Sequence, residues 1–153
     1  MEPGTCAIVG YGNPQRRDDG LGPYVVAQVR QTLKETDRVH FFDCHQLTPE
    51  LVEDLQEADL VILVDATVDH LETGWQRKRV MPDCFQAPPL MTHSVSPRFL
   101  LGLLGLLYRR YPPAWLVSIQ GDNFGFGEGL SSAAKTRAHR AVSDLIALVT
   151  KET

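Results

Sequence analysis

Cysteine is scarce in this sequence, and the three residues present, Cys6, Cys44 and Cys84, stand far apart. An odd, widely spaced set excludes a disulfide framework and a paired C-x-x-C metal knuckle. Reduced thiols in a cytoplasmic protein are the expectation. A basic face is missing too. The chain has 15 Lys and Arg against 19 Asp and Glu, a formal net charge of -4. Its basic pairs, Arg16-Arg17 and Arg109-Arg110, are too short for a nucleic-acid footprint. The longest apolar run, Phe99 to Tyr108, falls well short of the roughly 20 residues that span a bilayer. Met1 to Cys6 shows no basic stretch leading into an apolar one, so no secretory leader is expected. Neither nucleic acid nor membrane is expected as a partner.

What remains is an ordinary globular composition, 43% apolar and 22% charged over 153 residues, enough for one domain with its own core. The pattern along the chain predicts its elements. Thr5 to Gly10, Arg38 to Cys44 and Trp115 to Gln120 read as strands. Leu60 to Asp65 is apolar on both faces, as a central parallel strand is. Gln76 to Met81 has the charge of an edge strand. Helices are predicted from Leu21 to about Thr36, from Thr48-Pro49 to about Ala58, from Ser96-Pro97 to about Arg110, and from Ser131 or Ser132 to about Val149. The Ser-Pro and Thr-Pro pairs supply a hydroxyl cap and a proline at the first helical position. Strands alternating with helices predict a single three-layer α/β domain over residues 1–153. Its sheet would be mostly parallel, with about five strands and helices on both faces.

On such a sheet, ligands bind beyond the carboxyl ends of the strands, where the strand order reverses. Three segments deliver reactive groups there. After the first strand come Gly10-Tyr11-Gly12-Asn13 and then Asp18-Asp19-Gly20-Leu21-Gly22. The third predicted strand ends on Asp65. The loop before the Ser96-Pro97 helix carries Thr92-His93-Ser94. Taken singly, each has a plain explanation: Asp18 or Asp19 as a helix cap, Asp65 as a turn cap, His93 as a surface histidine. Together, two carboxylates and an imidazole on one rim suit a divalent metal. A dinucleotide site is disfavoured. Gln15 stands where the third glycine belongs, and Asp18-Asp19 would repel a pyrophosphate. No Ser-His-Asp or Cys-His arrangement is evident.

These segments resemble the hydrogenase maturation endopeptidases. Ile8 to Asn13 with Asp18 to Gly22 is similar to that family's first motif, Val61 to Ala66 to its second, and Thr92-His93-Ser94 to its third. The resemblance implies an endopeptidase that removes the C-terminal extension of a nickel–iron hydrogenase large-subunit precursor after nickel insertion. It implies Asp19 and Asp65 as catalytic, metal-contacting acids and His93 as the imidazole ligand. Several family members carry glutamate where this chain has the shorter Asp19. The nickel would come with the substrate, and the free enzyme would hold no tight metal. Asp43 matches an acid tied to substrate selectivity, with His45 beside it. His45 to Leu51 resembles the subgroup that serves bidirectional, NAD-linked hydrogenases. The acids would activate water, directly or through the metal. Two alternatives stand: another small metal-dependent hydrolase on the same fold, or a non-enzymatic nickel-binding chaperone.

Overall fold

A computed structural model describes residues 4–153. The chain forms β1 (Cys6–Tyr11), a 3-10 turn (Arg17–Gly20), α1 (Leu21–Leu33), β2 (Val39–Cys44), α2 (Leu51–Leu55) and β3 (Leu60–Thr67). It continues with β4 (Trp75–Arg79), α3 (Pro97–Tyr108), β5 (Ala114–Gln120) and α4 (Ser132–Glu152). The strands lie in the order β2-β1-β3-β5-β4. All neighbours are parallel except β4, which runs antiparallel to β5 at the edge. The predicted three-layer α/β architecture is what the structure has.

Alternation along the strands splits the core in two. Ile8, Phe41, Ile62, Val64 and Val117 face α1 and α4. Ala7, Val9, Val61 and Leu63 face α2 and α3. Helix α1 buries Val25, Val26 and Val29, and α4 buries Ala134, Ala138, Ala141, Leu145 and Val149. Both are one-sided stripes at helical spacing. Small residues on α4 let it lie close to α1.

The hydroxyl starts hold at two helices. Ser96 Oγ accepts from Phe99 N–H at 3.1 Å, with Pro97 in the first turn. Ser131 Oγ accepts from Ala134 N–H at 3.3 Å. The third start differs. Thr48 makes no side-chain cap, and α2 is only five residues long. Its ends are tightened into i→i+3 bonds, Leu51 N–H to the Thr48 carbonyl and Ala58 N–H to the Leu55 carbonyl, both 3.1 Å. Helix α1 stops at Leu33, short of Thr36, because Lys34 takes a φ of +59° while its N–H still reaches the Arg30 carbonyl.

Edge strand β4 is charged, as predicted. The Arg77 and Arg79 guanidiniums sit 4.3 and 5.2 Å from the Trp115 ring, and Arg77 pairs with Asp144 at 2.8 Å. Among the described residues, no helix is long and apolar enough to cross a membrane.

Candidate active site

The chain leaves β1 for β2 on one side and returns to β3 on the other, so the order reverses between β1 and β3. The acids gather there. Asp65 continues β3 one residue past the Gly10–Val64 pair, and the β1–α1 loop brings Asp19 near enough for its charge to act on Asp65. Helix α1 starts hard against this edge: a β-carbon on Gly22 would collide with the Val64 and Tyr11 carbonyls. Gly12, at φ +140°, passes over the Asp19 carbonyl with no room for a side chain. Both glycines are demanded by close approach.

The two neighbouring acids of the loop have different work. Neither caps α1, whose N-cap is Gly20 without a side-chain bond. Asp18 is fully buried. Its carboxylate accepts from Asp122 N–H at 2.7 Å, Asn123 N–H at 3.0 Å, and Ser131 N–H and Oγ, both at 2.8 Å. Burial alone would push its pKa up, but these bonds outweigh it and hold the group below the ordinary carboxylate value. Asp18 therefore ties the β1–α1 loop to the β5–α4 loop. Asp19 is part-exposed, and its Oδ2 accepts from Asn13 N–H at 2.8 Å. That bond aims one carboxylate oxygen inward and leaves the other free of a described partner.

Asp65 is the perturbed group. Burial pushes its pKa up, the Ala66 N–H and the Tyr11 hydroxyl pull it down, and the Asp19 charge adds a further upward push. The result is about 6. Tyr11 was not among the sequence candidates. Its position gives it away: strand alternation puts Tyr11 and Asp65 on the same face, the one covered by α2 and α3. The Tyr11 phenol is itself raised, by burial first and then by Asp65, so it stays a donor. Two carboxylates thus act on each other, and Asp65 holds its proton to about pH 6. Such a pair can transfer a proton to or from water, or bind a divalent ion that relieves the repulsion.

His93 is placed elsewhere. It is exposed and lies beside Glu50. It lines a 550 Å³ groove with Gln46, Thr48, Met91 and Leu103, between α2 and α3. Among the described residues, no three His, Cys, Asp or Glu side chains are set to share an ion. The expected convergence of His93 on Asp19 and Asp65 is thus absent in this structure. The reason is how the preceding segment docks: Val95 N–H donates to the Leu47 carbonyl at 3.0 Å, and Thr92 Oγ1 to the Ser94 carbonyl at 2.6 Å. These bonds lay residues 92–95 along the β2–α2 loop.

Asp43 lies on the α1 side of the sheet, bordering Pro23, Ala27, Arg30 and Phe41, opposite in face to Asp65. His45 is exposed on the loop beyond β2. The Cys44 thiol is pushed up by burial and by Asp43, and Cys6 is buried and pushed up to about 12. Neither is an activated nucleophile. All three cysteines are free.

Solved structures share this fold. A [NiFe] hydrogenase maturation protease, HycI, from Thermococcus kodakarensis KOD1 superposes with a TM-score of 0.75 at 22% identity, over 98% of this chain and 95% of that one. The hydrogenase maturating endopeptidase HybD from E. coli gives 0.71 at 23% identity, over 96% and 93%. A hydrogenase 2 maturation peptidase from Thaumarchaeota archaeon SCGC_AB-539-E09 gives 0.67 at 18%, over 95% and 97%. No family model matches the chain, and no curated protein matches it in sequence. At these identities the likeness is one of fold.

Proposed function

We propose that this chain is an endopeptidase that removes the C-terminal extension of a nickel-loaded nickel–iron hydrogenase large-subunit precursor. The observation that carries the reading is the placement of Asp19 and Asp65 together at the β1/β3 switch point, close enough for the charge of one to act on the other. A metal carried by the substrate would meet both carboxylates and offset their repulsion. A precursor lacking nickel leaves the two acids in repulsion and binds poorly. The shared fold with maturation proteases over nearly the whole chain supports the substrate class.

Asp19 and Asp65 serve as the metal-reading acids, and one of them takes the proton of the attacking water. His93 is the third ligand in this reading. It reaches the acids only if residues 91–95 leave their place beside Leu47 when the precursor docks. Asp43 and His45 contact the body of the precursor and select it in this reading. The His45 to Leu51 stretch favours a bidirectional, NAD-linked hydrogenase as the source of that precursor.

The test is a processing assay with purified precursor, loaded with nickel or not. A single C-terminal cut that requires nickel supports the reading. Nickel binding without a cut points to the chaperone, and cleavage of unrelated peptides with a resident metal points to another hydrolase.

A further inference from the structure

The loops that hold the acids also build a second concavity, on the α1–α4 face of the sheet. It has a volume of 440 Å³ and is lined by Pro14, Arg17, Pro23, Tyr24, Leu130 and Lys135, with Gly20 and Gly129 at its base. That is the size of an ordinary small-ligand site. Its walls are apolar rings and a leucine. Its charged groups are two cations, and no Asp or Glu lines it.

We propose that this concavity binds a carboxylate carried on an apolar body, either the free end of a polypeptide or an acidic side chain between apolar neighbours. Four observations carry this. First, among the described residues neither Arg17 nor Lys135 is in an ion pair with a carboxylate. Second, Arg17 is held in place. Its φ is +50°, unfavourable for a residue with a β-carbon. Backbone bonds impose it, from Arg17 N–H to the Gly127 carbonyl at 3.0 Å and from Asp18 N–H to the Asn123 carbonyl at 2.9 Å. Third, the guanidinium lies flat against Gly127, where a β-carbon would fall 2.7 Å from Nη2. An over-determined, outlying backbone conformation at a residue that lines a cavity is the kind that marks a ligand site.

The fourth observation selects the ligand. Phosphate sites are usually built from backbone N–H groups at a helix start. None of the residues at the start of α4, Ser131 to Ala134, lines the concavity, and two of their N–H groups are spent elsewhere, Ser131 N–H on Asp18 and Ala134 N–H on Ser131 Oγ. The Tyr24 hydroxyl is engaged too, with His139 at 3.0 Å. What is left to bind an anion is a planar fork and an ammonium, which suit a carboxylate. The apolar walls suit what it is attached to. This site does not depend on the endopeptidase reading.

Chemical-shift mapping on the full-length chain tests it, with four probes: N-acetyl-leucine, a blocked Leu-Glu-Leu tripeptide, N-acetyl-leucinamide and inorganic phosphate. The expected result is that an acid probe shifts the amides of Gly127, Gly129 and Leu130, and that the amide and phosphate do not. Response to N-acetyl-leucine identifies a chain end as the ligand, and response to the tripeptide alone identifies an acidic side chain. Arg17→Gln should weaken binding by about tenfold while keeping the backbone requirement, and Lys135→Gln should weaken it on an exposed helix that tolerates the change. Equal response to acid and amide, a stronger response to phosphate, no response to either acid, or binding unchanged in both variants would each overturn the proposal.

Discussion

Asp18 and Ser131, 113 residues apart, are joined twice: the Ser131 N–H donates to Oδ1 and its hydroxyl to Oδ2, each at 2.8 Å. The same Ser131 hydroxyl caps α4. One buried carboxylate thus fixes the start of the last helix and the loop that carries Asp19.

Asp18→Asn should therefore destabilise the fold rather than act on chemistry alone. Its amide nitrogen presents donors where four donors already converge. A loss on the order of 2–4 kcal/mol is expected from buried groups left without partners, measured by urea unfolding. The pH dependence follows from the lowered pKa. The stabilisation is complete above the ordinary value of 3.8 and is lost as pH falls through the lower folded value. A variant as stable as the parent at neutral pH would show that the buried hub contributes nothing.

Asp65→Asn should do the reverse. The folded pKa is raised from 3.8 to about 6, so the native state keeps a proton that the unfolded state gives up. Stability of the parent falls as pH rises from about 4 to about 6, then stays reduced. The asparagine variant does not titrate there. Relative to the parent it should gain up to roughly 3 kcal/mol by pH 7, read from thermal unfolding across that range, while processing of a nickel-loaded precursor is lost. A parent-minus-variant difference that is flat with pH would contradict the burial of this acid.

Much of this was legible from residues alone. Leu60 to Asp65 announces a central strand because it is apolar on both faces, and the Ser96-Pro97 pair announces a helix start by two local devices. The roles of Asp18 and Asp19 were not separable in the sequence. The partners that decide them, Asn13 on one side and Asp122, Asn123 and Ser131 on the other, include residues more than 100 positions away. The segment that carries His93 is tied to the β2–α2 loop by a long-range bond from Val95 N–H to the Leu47 carbonyl, which no local pattern encodes. Tyr11 was within reach, since the period of two that buries Val9 also turns Tyr11 toward Asp65.

His93→Ala should leave stability within about 0.5 kcal/mol, because the side chain is exposed. Processing of nickel-loaded precursor should be abolished. The paired measurement is a melting curve and a gel shift. Cleavage at the parental rate would remove His93 from the mechanism.

Asp19→Glu should keep part or all of the activity, since it retains a hard oxygen ligand with one more methylene. Asp19→Asn should not, since it removes the charge proposed to meet the substrate's metal. Equal activity of the two variants in the same assay would show that charge at this position is irrelevant.

Cys44→Ser should process normally. Burial and the neighbouring Asp43 disfavour the thiolate, so the thiol is a poor nucleophile at neutral pH. Loss of cleavage with an unchanged melting curve would reopen a role for it.

The antiparallel edge strand has a consequence for how the chain is made. Strand β4 pairs with β5 alone among the described residues, yet it emerges from the ribosome before α3 and β5 do. During that interval, β1, β2 and β3 can already pair with one another, while Trp75–Arg79 has no strand to join. A nascent segment with open hydrogen-bonding edges is where chains from neighbouring ribosomes stick together. Arg77, Lys78 and Arg79 give this segment three like charges at the time when it is unpaired. Arg77 and Arg79, which later pack on Trp115, are two of the three charges that disfavour association of the segment while it is unpaired.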